Sequence, residues 1–79
     1  MTDEIYGRLG PIFSSFLSEE QMGALNPDAT MDDVKGWDSL SFLDMIMAIE
    51  NEFGIRIDGL DAVNLTSIPN IIAYLQSNT

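Results

Sequence analysis

The stretch from Ser39 to Phe53 constrains this chain more than any other part of it. Apolar side chains recur there at helical spacing, with Asp38 ahead of it and Gly54 behind. Asp and Ser accept hydrogen bonds from first-turn amides, and glycine suits a left-handed helix end, so both boundaries of a helix are written into the sequence. At about 100° per residue, Phe42, Ile46, Ile49 and Phe53 share a sector roughly 60° wide, which is assigned to the core. Leu40, Leu43 and Met47 form a second apolar sector centred roughly 130° away and bordered by Asp44 and Glu50. Two explanations are open. Either the helix is central and buries both faces, or the second face is a docking patch for a partner whose apolar residues are flanked by Lys or Arg.

The remaining elements follow the same logic. Ile5, Leu9, Ile12, Phe13, Phe16 and Leu17 predict a first helix over residues 3–17, with Thr2 as its cap and Asp3 and Glu4 in its first turn. Gly10-Pro11 implies either a kink or a late start at Pro11. Residues 18–38 read as a long loop with turns around Asn26-Pro27-Asp28, pinned to the core by Met22, Leu25, Met31, Val34 and Trp37. Ile55 to Asp58 alternates like a strand but has no second strand to pair with, so it is read as an extended linker. A short helical turn is expected over residues 61–65. Thr66 or Ser67 then caps a last helix with Pro69 in its first turn and Ile68, Ile71, Ile72 and Leu75 on its apolar side. The fold class is all-α: a small four-helix bundle with a long loop between helices 1 and 2 and a short third helix, as one domain over residues 1–79.

Composition narrows the function. With 13 acidic and 3 basic residues the formal charge is −10, which repels nucleic acid and favours basic protein surfaces. There is no Cys and no His, so a thiol nucleophile, an imidazole base and the usual soft-metal ligands are absent. An acidic N-terminus and the brevity of the longest apolar run, Met45 to Ile49, argue for the cytoplasm. A calcium loop starting at Asp28 fails because its sixth position is Asp33 rather than Gly and its twelfth is Ser39 rather than Glu. Asp38, Asp44 and Glu50 lie six residues apart, which spreads them around a helix instead of converging them for hydrolysis. The hydroxyl of Ser39 remains the best candidate for chemistry, although capping alone would also account for Asp38-Ser39.

Gly36-Trp37-Asp38-Ser39-Leu40, followed by Leu43, Met47, Glu50 and Phe53-Gly54-Ile55, resembles the phosphopantetheine attachment region of acyl and peptidyl carrier proteins. The resemblance covers nearly the whole chain, including the long loop and the final helix announced by Thr66-Ser67-Ile68. It implies a non-enzymatic, monomeric carrier in which Ser39 bears 4′-phosphopantetheine, installed from coenzyme A by a magnesium-dependent transferase. It further implies that Asp38 positions the metal or the transferase, that Leu40 adjoins the arm, and that Leu40, Leu43, Asp44, Met47 and Glu50 face acyl- or aminoacyl-loading and chain-processing enzymes with basic docking surfaces. The borrowed thiol would account for the missing cysteine, because a thioester needs sulfur. Carriers of primary fatty acid synthesis typically have acidic residues where this chain has Ser41 and Asn51, which points to a stand-alone carrier of a specialised polyketide, hybrid peptide or modified-lipid pathway. The competing reading is a non-covalent acidic adaptor or inhibitor that binds a basic partner through the same helix.

Overall fold

The computed structural model describes residues 2–78, and their side chains from residue 4 onward. Its helices are α1 (Thr2–Ser14), α2 (Glu19–Met22), α3 (Ser39–Phe53), α4 (Gly59–Ala62) and α5 (Ile68–Asn78), with a single 3-10 turn at Met31–Asp33. The four expected helices are present, and α2 is an addition. The expected cap at Thr2 lies outside the described side chains.

The first helix runs through Pro11 without interruption, so the alternative of a late start is corrected. Leu9, Ile12 and Phe13 are buried on both sides of the proline, and burial of about 1.5–3 kcal/mol for each large apolar side chain outweighs one missing amide donor. The helix ends at Ser14, three residues short of the expected boundary. Two hydroxyls divert its last carbonyls: Ser14 donates to Pro11 O at 3.0 Å and Ser15 to Ile12 O at 2.6 Å. Leu17 still packs into the core from the turn that follows.

The long loop is less irregular than the sequence suggests. Ser18 Oγ accepts from the Gln21 amide at 3.1 Å while Gln21 Oε1 accepts from the Ser18 amide at 2.9 Å, a reciprocal pair that stabilises α2. Val34 and Trp37 are buried as expected, Met22, Leu25 and Met31 are partly buried against the same core, and Ala29 joins it. Met31 donates to Thr66 O and Ile68 to Ala29 O, both at 2.8 Å, which fastens the loop to the start of α5. Phe13 meets Trp37 edge-on, with ring centroids 4.9 Å apart. The indole N–H of Trp37 is buried with no acceptor among the described residues. That loss, about 1–3 kcal/mol, is offset by the burial of the large ring.

On α5, Ile68, Ile71, Ile72 and Leu75 are all buried, as the apolar pattern requires. Ser67 Oγ caps the helix by accepting from the Asn70 amide at 3.2 Å. The short third helix sits at residues 59–62, two residues earlier than expected, and 55–58 carries no regular secondary structure, with Asp58 extended.

Arg8 ties α1 to the end of α3. It meets the Glu52 carboxylate at 3.1 Å, donates to Glu52 O at 2.7 Å, and lies 4.1 Å from the centroid of the Phe53 ring. The pair is about half exposed, so the ionic part is weak and screened, and the carbonyl bond and ring contact supply most of the effect. Arg8→Ala is expected to lower stability by about 1–2 kcal/mol, read as a lower urea midpoint at unchanged slope.

Candidate functional site

The site is built from the turn that feeds α3. Gly36 adopts φ 90°, and an added Cβ would lie 2.8 Å from both Gln21 Oε1 and Leu17 Cδ2. Its carbonyl accepts a 2.6 Å hydrogen bond from the Ser41 hydroxyl. Ser41 Oγ in turn accepts from the Asp38 amide at 2.9 Å, and Asp38 Oδ1 accepts from the Leu40 and Ser41 amides at 3.1 and 3.2 Å. Asp38 and Ser41 therefore share the capping of α3, and Ser41 is the buried polar residue of the helix. This leaves Ser39 out. It is exposed at the first helical position, and its hydroxyl has no hydrogen-bond partner among the described residues. Capping, a sufficient explanation for Asp38-Ser39 on local chemistry, falls to Asp38 alone of that pair.

The assignment of faces on α3 needs one correction. Phe42 and Phe53 are only partly buried, and the core stripe comprises Ser41, Met45, Ile46 and Ile49. It is rotated by roughly 45° from the sequence estimate, toward Met45, because that side chain enters the core fully. The second apolar sector then lies nearly opposite the core. Leu40 is 86% exposed, Leu43 65% and Met47 62%, which excludes the reading in which the helix buries both faces. Asp44 is exposed beside them.

Glu50 behaves differently. Its Oε2 accepts the Ile57 amide at 2.7 Å, and Gly54, at φ 65°, closes the helix by donating to Glu50 O. The side chain is half-buried and holds the 55–58 segment against α3, a role that sequence reasoning did not assign. An acidic side chain seven residues before an otherwise unpaired extended amide was the available signal. Beyond it, Asp58, Asp61 and Tyr74 border a polar groove, with the Tyr74 hydroxyl donating to Asp61 at 3.3 Å.

Desolvation and the neighbouring carboxylates of Asp61, Asp58 and Glu50 raise the Tyr74 phenol above its usual value of 10.0. In the unfolded chain the phenol loses its proton near 10, while the folded state keeps it to higher pH. Its contribution to stability is therefore complete below pH 10 and disappears as pH climbs through the folded value. Titration of the phenolate absorbance should give native Tyr74 a midpoint above that of the urea-unfolded chain, with stability falling over the same interval.

No helix among the described residues is long and apolar enough to cross a membrane. Residues 9–75 match the family described as the phosphopantetheine attachment site. The chain is similar to the acyl carrier protein of Thermotoga maritima, with 28% identity over 74 residues that cover 94% of this chain and 90% of that one. It is 35% identical over 71 residues to the putative mitochondrial acyl carrier protein of Schizosaccharomyces pombe, spanning 90% of this chain and 63% of that relative's length. Identity to the acyl carrier protein of Nitratidesulfovibrio vulgaris is 40% over 53 residues, 67% of this chain and 70% of the relative. A helical fold and a match that takes in all of α3 and most of α5 have one common explanation: this chain belongs to the acyl carrier protein family, carriers rather than catalysts, whose working group is a covalently attached 4′-phosphopantetheine.

Proposed function

We propose that Ser39 is the attachment point and that residues 1–79 act as one carrier unit for an acyl or aminoacyl group. The observation that supports this most is the division of labour at the start of α3: Asp38 and Ser41 take the capping hydrogen bonds, while the Ser39 hydroxyl stays exposed and uncommitted. Such a hydroxyl fits the group, because attachment needs an oxygen that a transferase can reach without first breaking the helix start. Attachment forms the Ser39 Oγ–phosphorus bond as the pyrophosphate linkage of coenzyme A breaks; adenosine 3′,5′-bisphosphate leaves, and the hydroxyl proton passes to a base of the transferase. When bound, the arm supplies a terminal thiol that holds the cargo as a thioester.

The chain's own residues supply position and recognition. Leu40, Leu43 and Met47 offer an apolar surface directly after Ser39, and Asp44 adds a charge that favours transferases and processing enzymes with basic docking surfaces. Asp38 contributes first as the cap, and its carboxylate is also close enough in sequence to help place magnesium or the transferase. Glu50 supports the surface through the Ile57 bond more than it rims it. The departures from primary fatty acid carriers at Ser41 and Asn51 favour a specialised pathway. A reducing compartment such as the cytoplasm would keep the terminal thiol free.

The test is loading. Incubation with coenzyme A, magnesium and a broad-specificity phosphopantetheinyl transferase is expected to add one arm to the intact protein by mass spectrometry, with the modified peptide containing Ser39. A chain that stays unmodified beside a loaded control carrier overturns the reading and favours a non-covalent adaptor that uses the same α3 face.

A further inference from the structure

We infer that Ser41 is a positioning residue for arm transfer: from the first turn of α3 its hydroxyl ties down the backbone that leads into Ser39, so that the Ser39 hydroxyl is presented in one orientation. The inference rests on the reading of Ser39 as the attachment point. Ser41 Oγ uses both of its capacities, donating to the Gly36 carbonyl at 2.6 Å and accepting from the Asp38 amide at 2.9 Å. The first bond anchors the incoming loop and the second fixes the residue just before Ser39. On the other side, the Leu40 and Ser41 amides are held by Asp38 Oδ1. The Trp37–Asp38 and Ser39–Leu40 peptide groups are thus pinned while the Ser39 side chain is left unbonded.

The residue type matters. An ionised carboxylate at position 41 could accept from the Asp38 amide but could not donate to Gly36 O, and alanine could do neither. Serine alone among these joins the cap to the loop. Gly36 is itself held against Gln21 and Leu17, so the link extends from the reciprocal Ser18–Gln21 pair of α2 to the start of α3. Burial of Ser41 keeps water from replacing either partner.

A positioning role and a purely structural one differ in kinetics. A loosened helix start still docks through Leu40, Leu43 and Met47 but presents the oxygen badly, so kcat falls with little change in KM. A partly unfolded population instead reduces the competent fraction, which raises apparent KM at unchanged kcat. Steady-state arm transfer from coenzyme A, with the carrier as varied substrate, is therefore compared for wild type, Ser41→Ala and Ser41→Thr. Hydrogen exchange of the Asp38 and Leu40 amides is followed in parallel. The expected result for Ser41→Ala is a kcat about 10- to 100-fold lower with KM within about threefold, and faster exchange at the Asp38 amide, which loses its acceptor, with the Leu40 amide as the internal reference. Ser41→Thr, which keeps the hydroxyl, is expected to recover kcat to within about threefold of wild type.

Wild-type kcat in Ser41→Ala, a raised KM at constant kcat, or failure of Ser41→Thr to recover overturns this inference alone. If Ser41→Ala does not fold, Ser41→Cys preserves the side-chain shape with a weak donor and the same kcat criterion applies. A wild-type chain that remains unmodified beside a loaded control overturns the Ser39 reading and this inference together.

Discussion

Ser39→Ala is expected to remain without an arm after exposure to coenzyme A, magnesium and transferase, under conditions that convert the wild-type chain completely. The loss should be total rather than graded, because the substitution removes the oxygen proposed to form the bond to phosphorus. Stability should hardly change. The hydroxyl is exposed and makes no hydrogen bond to the described residues, and alanine has a helix propensity at least as good as that of serine, so the difference should stay within about 0.5 kcal/mol. Intact mass and a urea melt on the same sample check the two halves of this statement. An arm found on Ser39→Ala would move the attachment to another hydroxyl and end the role assigned to this one.

Gly36→Ala is expected to be the most damaging single substitution in the site region. Two independent effects coincide there. At φ 90° the backbone occupies a region that residues with a Cβ rarely adopt, and the added carbon would press against Gln21 and Leu17 at 2.8 Å. Strain of about 1–2 kcal/mol and overpacking of about 1–3 kcal/mol together suggest a loss of roughly 2–5 kcal/mol. For a chain of 79 residues, whose total stability is of the order of 4–12 kcal/mol, that is a large fraction. The thermal midpoint should fall by roughly 8–40 °C, checked by circular dichroism. Adding Gln21→Ala removes the Oε1 contact and should return only part of the loss, since the backbone conformation and the Leu17 contact persist. A Gly36→Ala protein that melts within a few degrees of wild type would contradict this account of the turn.

The boundaries of α3 were legible in the sequence because both depend on local chemistry: the Asp38 carboxylate caps the first turn, and Gly54 takes φ 65° at the end. The core face of the final helix was equally legible, since Ile68, Ile71, Ile72 and Leu75 admit one helical stripe. The face of α3 was harder. Nearly every turn of that helix offers apolar residues on two sides, and only packing against the rest of the bundle decides that Met45 goes in while Leu43 and Met47 stay out. Pro11 misled for a related reason, because local rules weigh a missing amide but not the buried Leu9, Ile12 and Phe13 around it. The one-turn α2 carried a readable signal in the spacing of Ser18 and Gln21, obscured by the lack of an apolar run behind it. Ser41 was noticed only as a departure from the acidic residue of related carriers. Its function depends on a carbonyl five residues earlier, and sequence spacing alone does not bring the two together.

One consequence of the Asp38 cap concerns how loosely cargo is tethered. Helix starts commonly hold phosphate on their free amides, yet here a carboxylate already covers those of Leu40 and Ser41. A phosphodiester on Ser39 would find that socket filled, and like charge on Asp38 would push it outward. The linker would then swing as a leash instead of lying against the protein, keeping its load at a millimolar-scale effective concentration within the reach of a docked enzyme. A residue that secures the scaffold would thereby also keep the delivery end mobile.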